Sequence, residues 1–224
     1  MKRQVSLDTE TTGKGEDGSV SGHRIVEVGC VEIIDRHITG RQLQFYVNPG
    51  RPVDPEAERG HGLTNAFLAD KPPFAAIADE LIAFIRGSEL LIHNAKFDTA
   101  FLDDEWTRLG RRERTADLCT IVDTLALAMK YLPGHHVNLD SLCKKYGVDA
   151  SGRQLHGALL DAQLLAEVYL QMTLTQQSLA FEVAEGVQHR WVRPPGARLP
   201  RVAVPDAERV MHVQQLMALA DAHQ

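Results

Sequence analysis

The stretch RIVEVGCVEIID, residues 24–35, has the alternating β-branched pattern of a long strand. Another strand pattern, KRQVSL, comes before it at residues 2–7, and a third, LQFYVNPG, follows at residues 43–50. A loop rich in Gly, Ser and charge separates the first two strands, and Pro and Gly end the third. Three successive strands with short connections predict an antiparallel meander.

Helices and strands alternate in the part of the chain that follows. Apolar side chains recur at helical spacing in residues 74–86 and 95–110, and a buried-type strand lies between them at residues 89–94. A short strand near residues 118–123 and a long helix at residues 157–173 continue the alternation. A meander followed by this alternation predicts an α/β fold, with a mixed central sheet and helices on both faces.

The composition changes towards the C-terminus. The 224 residues are enough for one domain and an appendage. We expect a globular domain at residues 1–175, a flexible linker at residues 176–204 and a C-terminal helix at residues 205–224. The segment VRPPGARLPRVAVP marks the linker, and apolar residues recur at roughly helical spacing in the last stretch.

Charge and cysteine content argue against several classes of protein. The net charge of −6 argues against a large footprint on duplex nucleic acid, although acids clustered around a metal-dependent cleft would also make the charge negative. The three cysteines are odd in number and none is in a C-x-x-C pair, so neither a disulfide framework nor a zinc site is expected. We expect a cytoplasmic protein, because no apolar run approaches the ~20 residues of a membrane span and no secretory signal is visible.

The first strand ends in a pair of acids within VSLDTETTG. Asp8 and Glu10 are two residues apart, so both side chains project to the same side of the strand. Two carboxylates this close repel each other unless a cation lies between them, and oxygen ligands suit Mg²⁺ or Mn²⁺. The alternative is a solvated strand end, which the D-x-E pair alone favours.

A third acid, Asp98 in LIHNAKFD, lies four residues after Asn94. The pattern places it in the first turn of a helix, just beyond a buried strand. The carboxyl ends of sheet strands are the usual place for sites in α/β folds. The alternative is an acid that only stabilises the helix dipole.

The segment HGALLDA places His156 five residues before Asp161. On one continuous helix the two side chains would point roughly 140° apart. Both face one cleft only if His156 precedes the helix, and Gly157 permits such a break. A histidine there could accept a proton from water, because its pKa lies near neutrality. The alternative is a loop histidine exposed to solvent.

The three blocks together resemble the DEDDh class of 3′–5′ exonucleases, which has a ribonuclease H-like fold. Within that class the chain is most similar to the epsilon proofreading subunits of bacterial DNA polymerase III. The similarity extends over about residues 3–181. It includes VDPEAERGHGLT and NLDSLCKKYGV, and it extends two of the blocks to IRGSELLIHNAKFD and LHGALLDAQLLAEVYL. All five residues of the class signature are present.

The resemblance implies a site with two divalent cations, Mg²⁺ or Mn²⁺. Asp8, Glu10 and Asp161 would hold one cation. Asp8 would bridge to a second cation, which Asp98 helps to position. His156 would act as the general base.

The resemblance also implies which residues meet the substrate. Glu10 and Asp161 would contact the 3′-terminal nucleotide, and the family pattern adds Glu56 and His61. A carboxylate beside the terminal 3′ hydroxyl would explain exonuclease activity, because an internal nucleotide has no such hydroxyl. For Glu56 and His61 the alternative is an exposed pair in a loop.

The segment after the expected domain resembles the peptides with which replication proteins bind a sliding clamp. Its anchors would be Gln176, Leu179 and Phe181. The C-terminal stretch would then bind the alpha subunit of the polymerase. A small accessory subunit is a further possible partner. The alternative for the peptide is the fraying end of a helix.

The function that this resemblance implies is proofreading. The chain would remove mismatched 3′-terminal nucleotides from single-stranded DNA ends as 5′-monophosphates. One alternative is a free-standing DEDDh exoribonuclease or oligonuclease. Another is a catalytically silent subunit that bridges clamp and polymerase, although such a subunit would lack at least one signature residue.

Overall fold

The computed structural model describes residues 2–152 and 155–177, and side chains as far as residue 174. Five strands in this part of the chain form one sheet, in the order β3-β2-β1-β4-β5. The strands are β1 (Arg3–Thr11), β2 (Ile25–Ile34), β3 (His37–Tyr46), β4 (Glu89–Ile92) and β5 (Thr120–Asp123). The first three pair antiparallel, whereas β4 pairs parallel to β1 and β5 parallel to β4. The predicted meander and mixed sheet are confirmed.

The helices connect and cover these strands. They are α1 (Pro55–His61), α2 (Asn65–Leu68), α3 (Phe74–Ile85), α4 (Ala95–Arg108), α5 (Thr115–Leu118), α6 (Thr124–Tyr131), α7 (Leu139–Tyr146) and α8 (Ala158–Gln177). The long helices predicted from periodicity correspond to α3, α4 and α8, with ends that differ by a few residues. The sequence did not predict α1, α2 and α5, because helices of 7, 4 and 4 residues are too short to show a helical period.

The sheet has a hydrophobic layer on each face. Val5 and Leu7 of β1 pack in a cluster with residues of α3 and α4. Residues of β2 that project to the opposite face, such as Val31, pack with α7 and α8. The predicted helices on both faces are therefore confirmed, and the end of β1 lies between the two layers.

The third strand begins six residues earlier than the predicted start at residue 43. The first six residues of β3 are exposed, so this edge strand lacks the alternation of apolar and polar residues on which the prediction depended. Asp35 and Arg36 connect β2 to β3 with positive φ angles of 46° and 67°. Two such residues form the tight turn typical of a hairpin.

Several expectations concern burial and the chain end. Cys30, Cys119 and Cys143 are free, as expected, and all three are buried. Among the helices of residues 2–152 and 155–177, none has the length and apolar character needed to cross a membrane. The expected domain boundary at residue 175 falls in the last turn of α8. Most of the expected linker and the C-terminal helix, residues 178–224, lie outside the described residues.

Candidate active site

The acids of β1 lie on the face of the sheet that packs against α8. In the antiparallel register, Asp8 is opposite Gly29 and Glu10 is opposite Glu27. Directly opposed residues project to the same face of a sheet. The side chains of Asp8 and Glu10 therefore project towards the first turns of α8, on one side of the strand as predicted.

Asp98 reaches the same strand end from the other face. It lies in the first turn of α4, where the sequence placed it, and its side chain is buried. The backbone N–H and the hydroxyl of Thr9 both donate hydrogen bonds to Asp98 Oδ1, at 3.1 and 2.7 Å. Burial raises the pKa of Asp98 to about 7, although the bonds from Thr9 act in the opposite direction. A nearby cation would favour the ionised form of such a carboxyl group.

The chain turns sharply to bring Asp98 to this position. Asn94, the residue before α4, adopts the left-handed conformation with φ of 70°. Asparagine tolerates this conformation better than most side chains. The helix therefore starts directly at the end of β4, and its first turn lies beside β1.

His156 and Asp161 are arranged as the spacing required. Because α8 begins at Ala158, His156 lies in the segment before the helix and Asp161 in its first turn. His156 Nδ1 lies 3.3 Å from Asp161 Oδ2, and the side chains are 56% and 5% exposed. The histidine is therefore accessible from solvent while its partner carboxylate is held in the interior.

The five predicted residues line one cavity of about 330 Å³, here named the acidic cavity. Potential ligand atoms of Glu10, His156 and Asp161 all lie within 4.8 Å of one another. Asp8 and Asp98 complete the lining on the side of β1 and α4. Hard carboxylate oxygens with one imidazole form a donor set that fits Mg²⁺ or Mn²⁺.

A second cavity of about 440 Å³, the outer cavity, adjoins the first. Glu10, Phe97 and His156 line both cavities, and Glu56 and His61 of α1 line the outer one. The structure thus places the predicted substrate residues next to the acidic cavity. They lie on a helix rather than in a loop, with His61 buried and Glu56 exposed.

His61 has a well-defined role in the local fold. Its Nε2 lies 3.1 Å from the carbonyl oxygen of Thr11, and the Leu63 N–H donates to Nδ1 at 3.0 Å. These contacts assign the proton to Nε2 of a neutral ring. Burial lowers the pKa of His61, which favours that neutral form. Backbone groups therefore contact both ring nitrogens, and the bond to Thr11 ties α1 to the end of β1.

The structure adds Asn138 and Asp140, which the sequence did not indicate, whereas the sequence already placed His93 at a strand end near the site. Asn138 and Asp140, at the start of α7, line the acidic cavity together with His93. Asn138 caps α7 through a bond from the Ser141 N–H, a helix-start signal that carries no information about distant neighbours. His93 is half-buried, and its Nδ1 lies 3.1 Å from the Thr124 hydroxyl. A tertiary contact alone brings Asn138 and Asp140 to the site.

The clamp-like peptide is described only in part. Gln176 belongs to the last turn of α8, while Leu179 and Phe181 lie outside the described residues.

Comparisons with known proteins give a consistent family. A family model described as "Exonuclease" matches residues 5–169, more than half of the chain. The chain is 50% identical over 192 residues to the DNA polymerase III subunit epsilon of Escherichia coli, covering 85% of this chain and 79% of that protein. The corresponding protein of Rickettsia felis is 49% identical over 184 residues, covering 82% of this chain and 79% of the relative.

Solved structures agree with this family. Exonuclease X, solved in complex with a 5′-overhanging duplex DNA, has 28% identity and a TM-score of 0.60, covering 79% of this chain and 93% of that chain. Escherichia coli Exonuclease I with a dT13 oligonucleotide has a TM-score of 0.65 at 19% identity, covering 80% of this chain and 42% of its own, and it supports the ribonuclease H-like fold alone. An exonuclease domain of this kind implies dependence on divalent cations. The chain therefore belongs to the family of the DNA polymerase III epsilon subunits and is a proofreading 3′–5′ exonuclease.

Proposed function

We propose that the chain removes single nucleotides from the 3′ end of single-stranded DNA and releases them as 5′-monophosphates. The observation that carries this proposal is the convergence of Asp8, Glu10, Asp98, His156 and Asp161 on one cavity. The outer cavity beside it has room for a terminal nucleotide. Mismatched ends are the expected substrates, because an unpaired 3′ end is already single-stranded.

The carboxylates are the proposed cation ligands. We assign Asp8, Glu10 and Asp161 to one cation and Asp8 with Asp98 to the other. Since Thr9 occupies Asp98 Oδ1, we assign Oδ2 to the cation. When bound, two Mg²⁺ or Mn²⁺ ions supply activation of the attacking water and charge stabilisation at the leaving 3′ oxygen.

His156 is the proposed general base. The contact between His156 Nδ1 and Asp161 Oδ2 orients the ring, so we assign the proton transfer to Nε2. Nε2 accepts a proton from the attacking water as the new oxygen–phosphorus bond forms. The bond to the 3′ oxygen of the preceding nucleotide breaks. That oxygen takes up a proton from solvent water, so the shortened strand ends in a 3′ hydroxyl.

The outer cavity is the proposed site of the terminal nucleotide. Glu56 and Glu10 provide carboxylates that accept a hydrogen bond from a 3′ hydroxyl, while Asp161 lies at the phosphate side. The ring of Phe97 lies between the two cavities and is supported by Phe101, with 4.8 Å between ring centroids. An aromatic face at this position can stack on a base of any sequence.

We also propose that the chain works inside a replicase. The relatives are named as subunits of DNA polymerase III, which supports a place in that polymerase. The alpha subunit is the proposed partner of residues 205–224. Gln176, Leu179 and Phe181 are the proposed anchors for the sliding clamp, and a small accessory subunit is a further candidate partner. Replacing the three anchors with alanine should weaken clamp binding and leave hydrolysis of free oligonucleotides unchanged. Unchanged clamp binding would refute this assignment.

One assay tests the proposed reaction. The protein is incubated with 5′-labelled single-stranded DNA, or with RNA of the same sequence, in Mg²⁺, Mn²⁺ or EDTA. We expect a ladder that shortens from the 3′ end of DNA with either cation and no cleavage in EDTA. Equal cleavage of RNA would favour the exoribonuclease alternative, and no ladder with either cation would overturn the proposal.

A matched pair of variants provides the control. Asp8→Asn should abolish the ladder, because Asp8 is the proposed ligand shared by both cations. Asp79→Asn removes an equal charge from the surface, where the Asp79 side chain is 90% exposed and ion-paired with Arg111. We expect that control to keep the wild-type rate.

A further inference from the structure

The N-terminus of α8 is bound to the sheet by a residue outside the proposed set of ligands. Glu27 lies within β2 and is only 2% exposed. Its Oε2 accepts a hydrogen bond from the Ala158 N–H at 3.1 Å, and its Oε1 accepts one from Gln44 Nε2 at 2.8 Å. Both carboxylate oxygens of this buried acid therefore have donors.

The bond to Ala158 satisfies an N–H group at the start of α8. Ala158 is the first residue of α8, and the first N–H groups of a helix have no acceptor within the helix. A carboxylate at this end also interacts favourably with the helix dipole. Since Glu27 is 131 residues away in sequence, the same bond caps the helix and fixes it to the sheet.

Gly29 brings the helix into close contact with β2. A Cβ atom placed on Gly29 would lie 2.2 Å from the Leu159 nitrogen and 2.3 Å from the carbonyl carbon of Ala158. The backbone of α8 therefore lies directly on the strand, where a side chain would displace it. Gly29 is opposite Asp8 in the register, so this contact occurs beside the first acid of the site.

The segment that carries His156 is held at both ends. The His156 N–H donates to the carbonyl oxygen of Gly60 at 3.0 Å. Two residues later, the Ala158 N–H donates to Glu27. The first helical bond, from the Asp161 N–H to the Gly157 carbonyl oxygen at 2.8 Å, starts within this segment. Glu27 thus holds Ala158, which lies between His156 and Asp161 in the sequence.

The position of Glu27 opposite another acid indicates that its carboxylate has a specific role. Glu10 and Glu27 are directly opposed on one face of the sheet, and like charges in that position destabilise a strand pair. An apolar side chain at residue 27 would avoid this repulsion but could not accept the hydrogen bond from the Ala158 N–H. The Glu27 carboxylate faces two N–H donors, whereas Glu10 faces the acidic cavity.

We propose that Glu27 and Gly29 form a docking site for the first turn of α8, and that Glu27 is a positioning residue for hydrolysis. Glu27 sets the place of His156 and Asp161 relative to Asp8 and Glu10. The functional part of this proposal rests on the roles proposed above for His156 and Asp161. The docking itself does not, and it is tested separately.

Hydrogen exchange tests the docking without any variant. The Ala158 N–H should exchange slowly in the unmodified protein, although it is the first amide of a helix. We expect exchange at Ala158 at least about a hundredfold slower than in an unstructured peptide. Exchange at the unprotected rate would overturn the docking, whether or not the protein is a nuclease.

Two substitutions of Glu27 test its effect on the reaction. Glu27→Leu fills a similar volume and removes both acceptors. Glu27→Gln keeps an oxygen that can accept the Ala158 N–H after Gln44 turns its amide. We expect Glu27→Leu to lower kcat by about ten- to a hundredfold. The affinity of the DNA-free protein for Mn²⁺ should fall by about the same factor. The KM for an oligonucleotide should change little, and Glu27→Gln should stay within about threefold of the wild type.

Glu32 provides the matched control on the same strand. It is also buried in β2, at 4% exposure, but it pairs with Arg3 and Arg41 away from the acidic cavity. Glu32→Leu should lower the Tm and leave kcat and Mn²⁺ affinity of the folded protein unchanged. Equal losses of kcat in both leucine variants would reduce Glu27 to a general structural role and overturn the proposal. If Glu27→Leu does not fold, the proposal is tested in Glu27→Gln by measuring hydrogen exchange at Ala158 and kcat. Loss of protection at Ala158 with an unchanged kcat would overturn the proposal.

Discussion

The two helices that bring side chains to the end of β1 are attached to the sheet in different ways. On one face, the first turn of α4 is attached through the site residue itself, because Asp98 accepts both hydrogen bonds from Thr9. On the other face, α8 is attached through Glu27 and Gly29, which we do not assign as ligands. A proposed ligand can therefore be held in place in two ways: by hydrogen bonds to its own carboxylate, as in Asp98, or by neighbouring residues that hold its helix, as in Asp161.

The largest expected effect tests whether both helices contribute a ligand. Asp98→Asn and Asp161→Asn keep the side-chain volume and remove a charge that we assign to a cation. We expect each variant to lose about a thousandfold in kcat, because several kcal/mol of charge stabilisation disappear. Single-turnover hydrolysis of a labelled oligonucleotide measures the loss, with circular dichroism as a check of the fold. A variant that kept a tenth of the activity would remove its residue from the ligand set.

The next effect concerns how α4 is held to β2. Glu105 of α4 is buried, and both its oxygens accept bonds from the Arg24 guanidinium at 2.7 Å. Arg24→Ala would leave this carboxylate buried without its cation, so we expect a loss of about 3–5 kcal/mol in the free energy of unfolding.

Urea denaturation measures this loss, and an exposed pair on the same helix serves as the control. Arg108→Ala removes the partner of Asp104, and it should cost no more than about 1 kcal/mol. Equal losses in the two variants would mean that the buried pair does not hold α4 in place.

A smaller effect is expected where α8 lies on β2. Gly29→Ala forces the helix away from the strand, since the contacting atoms are backbone atoms at 2.2–2.4 Å. We expect it to cost about 1–3 kcal/mol of stability and to lower kcat in the folded protein. Gly152→Ala is the control, because a Cβ there meets no atom of residues 2–152 and 155–177 within 4 Å. If Gly29→Ala matched that control in Tm and kcat, the close approach of α8 would be refuted.

The smallest effect concerns the hydrogen bonds from Thr9 to Asp98 Oδ1. Thr9→Val removes the hydroxyl that donates at 2.7 Å and leaves the backbone bond at 3.1 Å. We expect about a tenfold loss in kcat, because one of the two bonds that orient Asp98 remains. Thr99→Val removes a hydroxyl that bonds within α4, to the Ala95 carbonyl oxygen, and should keep the wild-type rate. An unchanged rate in Thr9→Val would show that the backbone bond alone positions Asp98.

Short-range periodicity explains what the sequence could predict. The same-side arrangement of Asp8 and Glu10 follows from the period of a strand, and the first-turn position of Asp98 follows from a helix that starts at a strand end. The angle of roughly 140° between residues five apart required His156 to precede the helix, and α8 does begin after it.

Contacts between distant segments explain what the sequence could not predict. Glu27 looks like any acid in a strand, and its bond to Ala158 depends on a packing contact across 131 residues. The sequence also gave no sign that both ring nitrogens of His61 contact backbone atoms of Thr11 and Leu63. The early part of β3 was missed because an exposed edge strand has no apolar alternation.

The central claim is that side chains from both faces of the sheet hold divalent cations at the end of β1. Anomalous diffraction from crystals soaked with Mn²⁺ and a nucleoside 5′-monophosphate tests it most directly. We predict two anomalous peaks in the acidic cavity, one beside Glu10 and Asp161 and one beside Asp98, with Asp8 between them. Peaks at other positions, or no peak beside Asp8 at saturating Mn²⁺, would contradict the account.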